Sequence, residues 1–79
     1  MTRTELANFY EQPCRFKLRT GKEVFGVIWE VWKGSEVVYY FSSTVERLQI
    51  KQSENEAELL EKYSVEVSPE EIVMVEPIG

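Results

Sequence analysis

The sequence contains no histidine and no aspartate, and it has a single cysteine, Cys14. Histidine is the usual general base near neutral pH and a common metal ligand, and a cysteine nucleophile needs a base beside it. The chain also has no glycine-rich phosphate loop and no metal-ligand spacing. We therefore expect a protein that is not an enzyme and uses no cofactor or metal, with Cys14 as a small buried thiol.

Long apolar runs are missing as well. No stretch approaches the ~20 apolar residues that span a membrane, and residues 1–12 contain no apolar signal-peptide core. One cysteine cannot form an internal disulfide, which fits a reducing compartment. We expect a cytoplasmic protein without membrane contact and, from its 79 residues, a single domain (1–79).

The charge is distributed unevenly along the chain. Residues 1–51 carry eight Lys or Arg and six Glu, whereas residues 52–79 carry one Lys and eight Glu. A net charge of −5 supplies no broad positive field, so we expect no DNA partner and disfavour RNA. A local exception is the basic strand face with Arg15, Lys17 and Arg19, which is either a solvated face or a contact for an anion or RNA.

A β-hairpin is the clearest structural signal. Apolar and basic residues alternate over residues 14–19, as in a half-buried strand. Gly21 follows in a turn, where glycine adopts positive φ at little cost, and a second strand covers residues 23–32. Gly26 lies inside that strand and predicts a bulge or strong bend where sheet layers approach closely.

The second strand is apolar on both faces. One face has Val24, Gly26 and Ile28, and the other has Phe25, Val27, Trp29 and Val31. A strand of this kind is usually covered on both sides. The sequence leaves open whether the second face is covered by an N-terminal helix, by another part of this chain, by a second subunit or by a ligand.

The remaining elements complete a mainly β fold. Thr2 or Thr4 caps a short helix over residues 3–10, which we expect across the open end of the sheet. Residues 37–41 form a third strand, and the strands at 63–67 and 72–75 are joined by a single turn at 68–71. Five short strands with one N-terminal helix predict a small, strongly bent SH3-like barrel, since closure removes exposed edges.

Residues 42–62 are ambiguous. The spacing Ser53-Glu54-Asn55-Glu56 is typical of a capping box and favours a short helix over residues 54–62. The alternation around Leu48 and Ile50 instead favours an extended hairpin.

This order of elements resembles the Sm-like (LSm and Hfq-like) family of small β-barrels. Residues 13–41 align with the first three strands of that family without a gap, and residues 65–77 are similar to its last two strands. Gly21 and Gly26 match its turn and bend glycines. The resemblance implies a barrel whose edges form rings, with a seam of Val65, Val67, Ile72 and Val73.

The resemblance does not extend to an RNA site. RNA-binding members use a polar residue after the second strand and basic or histidine residues near the last turn. This chain has Lys33-Gly34-Ser35 at the first place and Glu70 and Glu71 at the second, and carboxylates there would repel phosphate. Another Sm-like group, the acidic inhibitors that bind Rho, implies that such a barrel can bind a protein instead.

The aromatic residues of the second and third strands suggest a function: Phe25, Trp29, Trp32, Tyr39, Tyr40 and Phe41. Trp and Tyr are enriched at interface hot spots, although small barrels also need bulky side chains for their interior. We predict a non-catalytic module that binds a protein or itself, with Trp29, Trp32 and Tyr39 as contact residues and the two tryptophans exposed. The alternative is an RNA-binding Sm-like protein in RNA regulation that contacts RNA through the basic strand face.

Overall fold

The computed structural model describes residues 1–78. Its elements, in chain order, are α1 (Arg3–Ala7), β1 (Cys14–Leu18), β2 (Glu23–Lys33), β3 (Glu36–Ser42), α2 (Thr44–Gln52), α3 (Glu56–Tyr63), β4 (Val65–Val67), a 3₁₀ turn (Pro69–Glu71) and β5 (Ile72–Pro77). Within residues 1–78, no helix has the length and apolar character needed to cross a bilayer.

The strands form one antiparallel sheet in the order β4-β3-β2-β1-β5. β2 pairs with β1 through residues 23–26 and with β3 through residues 27–33, so it changes partner directly after Gly26. A Cβ atom on Gly26 would lie 2.2 Å from the carbonyl oxygen of Ser42. The predicted close approach at this glycine is confirmed, as is the turn at Gly21, whose φ is +93°.

The sheet is not closed. β4 and β5 are the two ends of the strand order, and no pairing joins them in residues 1–78. The short 3₁₀ turn connects them, as predicted for residues 68–71. The prediction of a mainly β, five-stranded fold is confirmed, and the barrel stays a prediction.

The inner face of the sheet packs beneath α1. Thr2 caps this helix in a capping box with Glu5, which satisfies backbone N–H groups that would otherwise lack partners. Leu6 is fully buried here. We call the buried cluster to which it belongs the main core; its residues are Leu6, Cys14, Phe16, Ile28, Tyr39 and Ile72. The helix is shorter than predicted, five residues in place of residues 3–10, and it covers the inner face. The interpretation of this helix as the cover of the second face of β2 is therefore wrong.

The outer face of the β2–β3 pair is covered by α2 and α3. Val27, Trp29 and Tyr40 form a second core with Ile50 of α2, which is fully buried. Leu59, Leu60 and Tyr63 of α3 pack around it. This chain thus covers Val27, Trp29 and Val31 of the second apolar face itself, whereas Phe25 on the same face stays exposed.

The structure corrects the prediction for residues 42–62. Two helices occupy this segment, so the extended hairpin around Leu48 and Ile50 is wrong and the predicted helix over 54–62 is one of a pair. The capping box belongs to Ser43 and Glu46 at the start of α2. Asn55 precedes α3 without a side-chain capping bond, and Ser53 ends α2.

Candidate functional site

The β2–β3 hairpin extends past the neighbouring strands. Within residues 1–78, β1 pairs with β2 no further than Gly26, and β4 pairs with β3 no further than Tyr39. Residues 31–38 therefore pair only with each other, as Val31 does with Val38. We call this two-stranded segment, residues 31–38, the hairpin arm; Gly34 forms its turn at a φ of +66°.

Trp32 is the large hydrophobic residue that the hairpin arm exposes. Its register partner is Val37, which packs against the main core, so Trp32 belongs to the inner face. The buried part of that face ends at Tyr39, and the indole of Trp32 is left 60% exposed. The predicted exposure of Trp32 is confirmed, and its role in binding stays a prediction.

Trp29 is buried, and its predicted exposure is wrong. Only 4% of the residue is accessible, because α2 covers the outer face of β2. Its ring stacks on Tyr40 with centroids 6.3 Å apart, and the guanidinium of Arg47 lies 4.0 Å above it. Trp29 is thus part of the second core and offers no surface to a partner.

Tyr39 is buried in the main core at 5% exposure, so it too offers no contact surface. Its hydroxyl has no hydrogen-bond partner among the described residues.

The hydroxyl of Tyr10 donates to Oε2 of Glu30 over 3.2 Å. Burial, with Tyr39 and Glu30 close by, raises the pKa of Tyr10 above its usual range. Tyr10 therefore stays protonated at neutral pH and links the segment after α1 to β2.

The basic strand face is interrupted by carboxylates. Arg15 forms one ion pair with Glu76 of β5 and another, at 3.6 Å, with Glu23 of β2. Lys17 is exposed and stands opposite Glu23 in the register. The guanidinium of Arg19 donates to the backbone carbonyl of Glu70. Contact of these three basic residues with an anion or RNA stays a prediction.

The sheet edges expose part of the predicted seam. Val65 on β4 and Val73 on β5 are more than half exposed, whereas Ile72 is buried and Val67 half-buried. Exposed apolar side chains also occur where the sequence indicated none: Phe25 on β2, and Val45 and Leu48 on α2. The exposure of Val45 and Leu48 was not predicted because α2 itself was not predicted.

Glu11, in the segment before β1, forms ion pairs with two residues of α2, a role that the sequence did not indicate. Nε and Nη2 of Arg47 each donate to its carboxylate over 2.8 Å, and Nζ of Lys51 lies 2.7 Å from it. Its φ is +63°, an unusual conformation for a residue with a side chain. Burial raises the pKa of Glu11, but hydrogen bonds from Arg47 and Lys51 outweigh it and hold the pKa below its usual range.

Neither a metal centre nor a relative provides a further lead. The described part of the chain brings no three metal-ligating side chains together. Cys14 is buried, and burial raises the pKa of its thiol. Comparison of the chain with protein-family models, curated proteins and solved structures finds no match. The resemblance to the Sm-like family therefore stays a prediction.

Proposed function

We propose that this chain is a non-catalytic protein-binding module that contacts its partner through the hairpin arm, with Trp32 as the anchor. The observation that carries the proposal is the 60% exposure of Trp32 on a segment that, among residues 1–78, pairs with no further strand. Tryptophan is among the residues most enriched in the energetic centres of interfaces. A projecting two-stranded arm also leaves unpaired backbone groups that a partner strand can use.

The exposed indole is large enough to dominate an interface. An aromatic side chain buries ~150–250 Å² when fully covered, so covering the exposed part of Trp32 removes roughly 90–150 Å² from water. At ~25 cal/mol per Å² this burial contributes about 2–4 kcal/mol. That is the magnitude at which a single residue counts as a hot spot.

A matched pair of variants tests the proposal. Phe25 is exposed to the same fraction as Trp32, 60%, and lies on the same strand outside the hairpin arm. Immobilised wild type, Trp32→Ala and Phe25→Ala are compared for the proteins that they retain from a lysate of the source cells. We expect Trp32→Ala alone to lose the partner while its circular dichroism spectrum stays that of wild type. Equal retention by all three proteins would remove Trp32 as the anchor.

We further propose that the module self-associates through its sheet edges, in the manner of an Sm-like barrel. The support is that β4 and β5 are edge strands, each paired on one side only within residues 1–78, and that they expose Val65 and Val73. The test is the solution mass by light scattering for Val65→Glu and Val73→Glu, with Val45→Glu, at a still more exposed valine on α2, as the control. Only the two edge variants should reduce the mass of an oligomer, and a wild-type monomer would contradict the proposal.

Salt dependence separates a protein partner from RNA. Capture through Trp32 should change little between low and high salt, because apolar burial involves no counterion release. RNA bound through the basic strand face would dissociate steeply with added salt. The ion pairs of Arg15 with Glu23 and Glu76 favour the protein partner, since they already engage one of the three basic side chains.

A further inference from the structure

An apolar groove of about 290 Å³ opens into the interior of the sheet beside the β1–β2 turn. Phe16 and Phe41 form part of its wall, with their rings edge to face at 5.5 Å. Val65 and Val67 of β4 form the side next to the open edge of the sheet. The groove is thus bounded by side chains that the fold already holds in place.

Lys22 is the one charged residue among those that line the groove. It lies in the β1–β2 turn and is exposed. Unlike Arg15, Arg47 and Lys51, it forms no ion pair within residues 1–78. A free cation beside an apolar wall matches a ligand with one anionic end and an aliphatic body, because the charge stays hydrated while the body is buried.

The size of the groove bounds the ligand. An engineered cavity of ~150 Å³ holds benzene, so about 290 Å³ accommodates a body roughly twice that large. Ligand pockets in proteins begin at ~300 Å³ and are mostly apolar with few polar groups. The volume therefore points to a short or medium aliphatic chain.

We propose that this groove binds a short- to medium-chain alkyl carboxylate, with the chain between Phe16, Phe41 and Val65 and the carboxylate beside Lys22. The proposal goes beyond the function assigned to the hairpin arm, since Trp32 does not line the groove. It commits to a small amphiphile; a second copy of this chain in the groove is an outcome of the test.

The first experiment is a chain-length series. Butanoate, hexanoate and octanoate are titrated into the ¹⁵N- and methyl-labelled protein, and dissociation constants are taken from the shifts of Val65, Val67 and Ile72. Each buried methylene should strengthen binding about fourfold until the groove is full. Octylamine, with the same chain and the opposite charge, should bind more weakly. Shifts spread over the whole surface, or none in the groove, would overturn the proposal.

The second experiment uses matched variants. Lys22→Glu should weaken octanoate binding about fivefold, the upper range for an exposed charge pair, and should remove the preference over octylamine. Lys17→Glu is the control, because Lys17 is an exposed lysine on the same hairpin that does not line the groove. An equal effect of both variants would show that only net charge matters and would overturn the site.

A blocking variant separates the groove from the rest of the molecule. Val65→Phe enlarges an exposed side chain at the groove wall, and Val45→Phe does the same on α2, outside the groove and away from the sheet edges. Only Val65→Phe should abolish octanoate binding. If the wild type is an oligomer that binds no octanoate, while the dissociated Val73→Glu variant does bind it, the groove is an interface between copies of this chain. That result would contradict the proposal. Capture by Trp32 is unaffected by either result.

Discussion

Replacing Gly26 by alanine should destabilise the fold far more than an ordinary glycine-to-alanine change in a strand. The new Cβ would lie 2.2 Å from the carbonyl oxygen of Ser42 and 2.9 Å from Cζ of Phe41. Ser42 pairs with Val27 in the first step of the β2–β3 ladder, so relief of the contact must move that ladder. Overpacking of this kind costs ~1–3 kcal/mol, and a lost ladder hydrogen bond ~1 kcal/mol.

Alanine also gains something over glycine. Glycine within a strand is destabilising by ~0.5–1 kcal/mol relative to alanine, which offsets part of the clash. The net expectation is a loss of roughly 1–3.5 kcal/mol, which lowers Tm by about 4–28 °C in a domain of this size. Thermal unfolding followed by circular dichroism measures this change.

Gly21→Ala is the control for Gly26→Ala. Apart from Gly21 and its two chain neighbours, no described atom lies within 4 Å of the Cβ that alanine would add at Gly21, so its cost comes from the positive φ, ~1–2 kcal/mol. Gly26→Ala should therefore be the less stable of the two variants. If Gly26→Ala unfolds at the wild-type temperature, β3 does not approach Gly26 as closely as the structure shows.

Three further predictions concern the helices that cover the second core. The folded-state pKa of Glu11 is lowered, so its ion pairs stabilise the fold at pH values above the unfolded-state pKa and stabilise it less as the pH falls. Glu11→Gln should therefore lower the free energy of unfolding by about 1 kcal/mol at pH 7 and leave it unchanged well below about pH 4. Urea unfolding at the two pH values measures this difference. Ser43→Ala removes the cap of α2 and should cost ~1 kcal/mol, whereas Ser53→Ala should cost less; equal losses would contradict the capping assignment. Trp32→Phe should leave a fluorophore, Trp29, that acrylamide quenches poorly, and efficient quenching would show that α2 does not cover it.

Elements that depend on local pattern were predicted correctly from the sequence. The alternation in β1 requires only that one face be buried, and the turn at Gly21 requires only a residue that tolerates positive φ. Of the two predicted cap candidates, Thr2 and Thr4, the structure has Thr2, which pairs with Glu5 three residues later. Each of these signals lies within a few residues of the structure that it determines.

The segment after β3 was harder to predict, because residues 42–62 contain two matches to the capping-box pattern, at Ser43 and at Ser53. Which one starts a helix depends on where β3 ends, and that end is determined by the pairing of Ser42 with Val27. The alternation of Leu48 and Ile50 favoured a strand, yet Ile50 points into the second core from a helix. Tertiary packing decides between patterns that are locally equivalent.

The candidate site shows the same division. Strand alternation places Trp29 and Trp32 on opposite faces of β2, which the sequence did indicate. It could not indicate that α2 buries one and that the main core ends before the other, because both depend on contacts distant in sequence. The carboxylate of Glu11 joins Arg47 across 36 positions, and no local pattern reports such a pair.

The most direct test of the proposed function uses the two indole N–H signals of the ¹⁵N-labelled protein, one from Trp29 and one from Trp32. The partner captured with wild type is titrated into the labelled sample. We predict that the indole signal of Trp32 shifts together with the amide signals of residues 31–38, while the indole signal of buried Trp29 stays in place. A complex in which Trp32 keeps its free position and the shifts lie elsewhere would contradict the assignment of the hairpin arm as the contact surface.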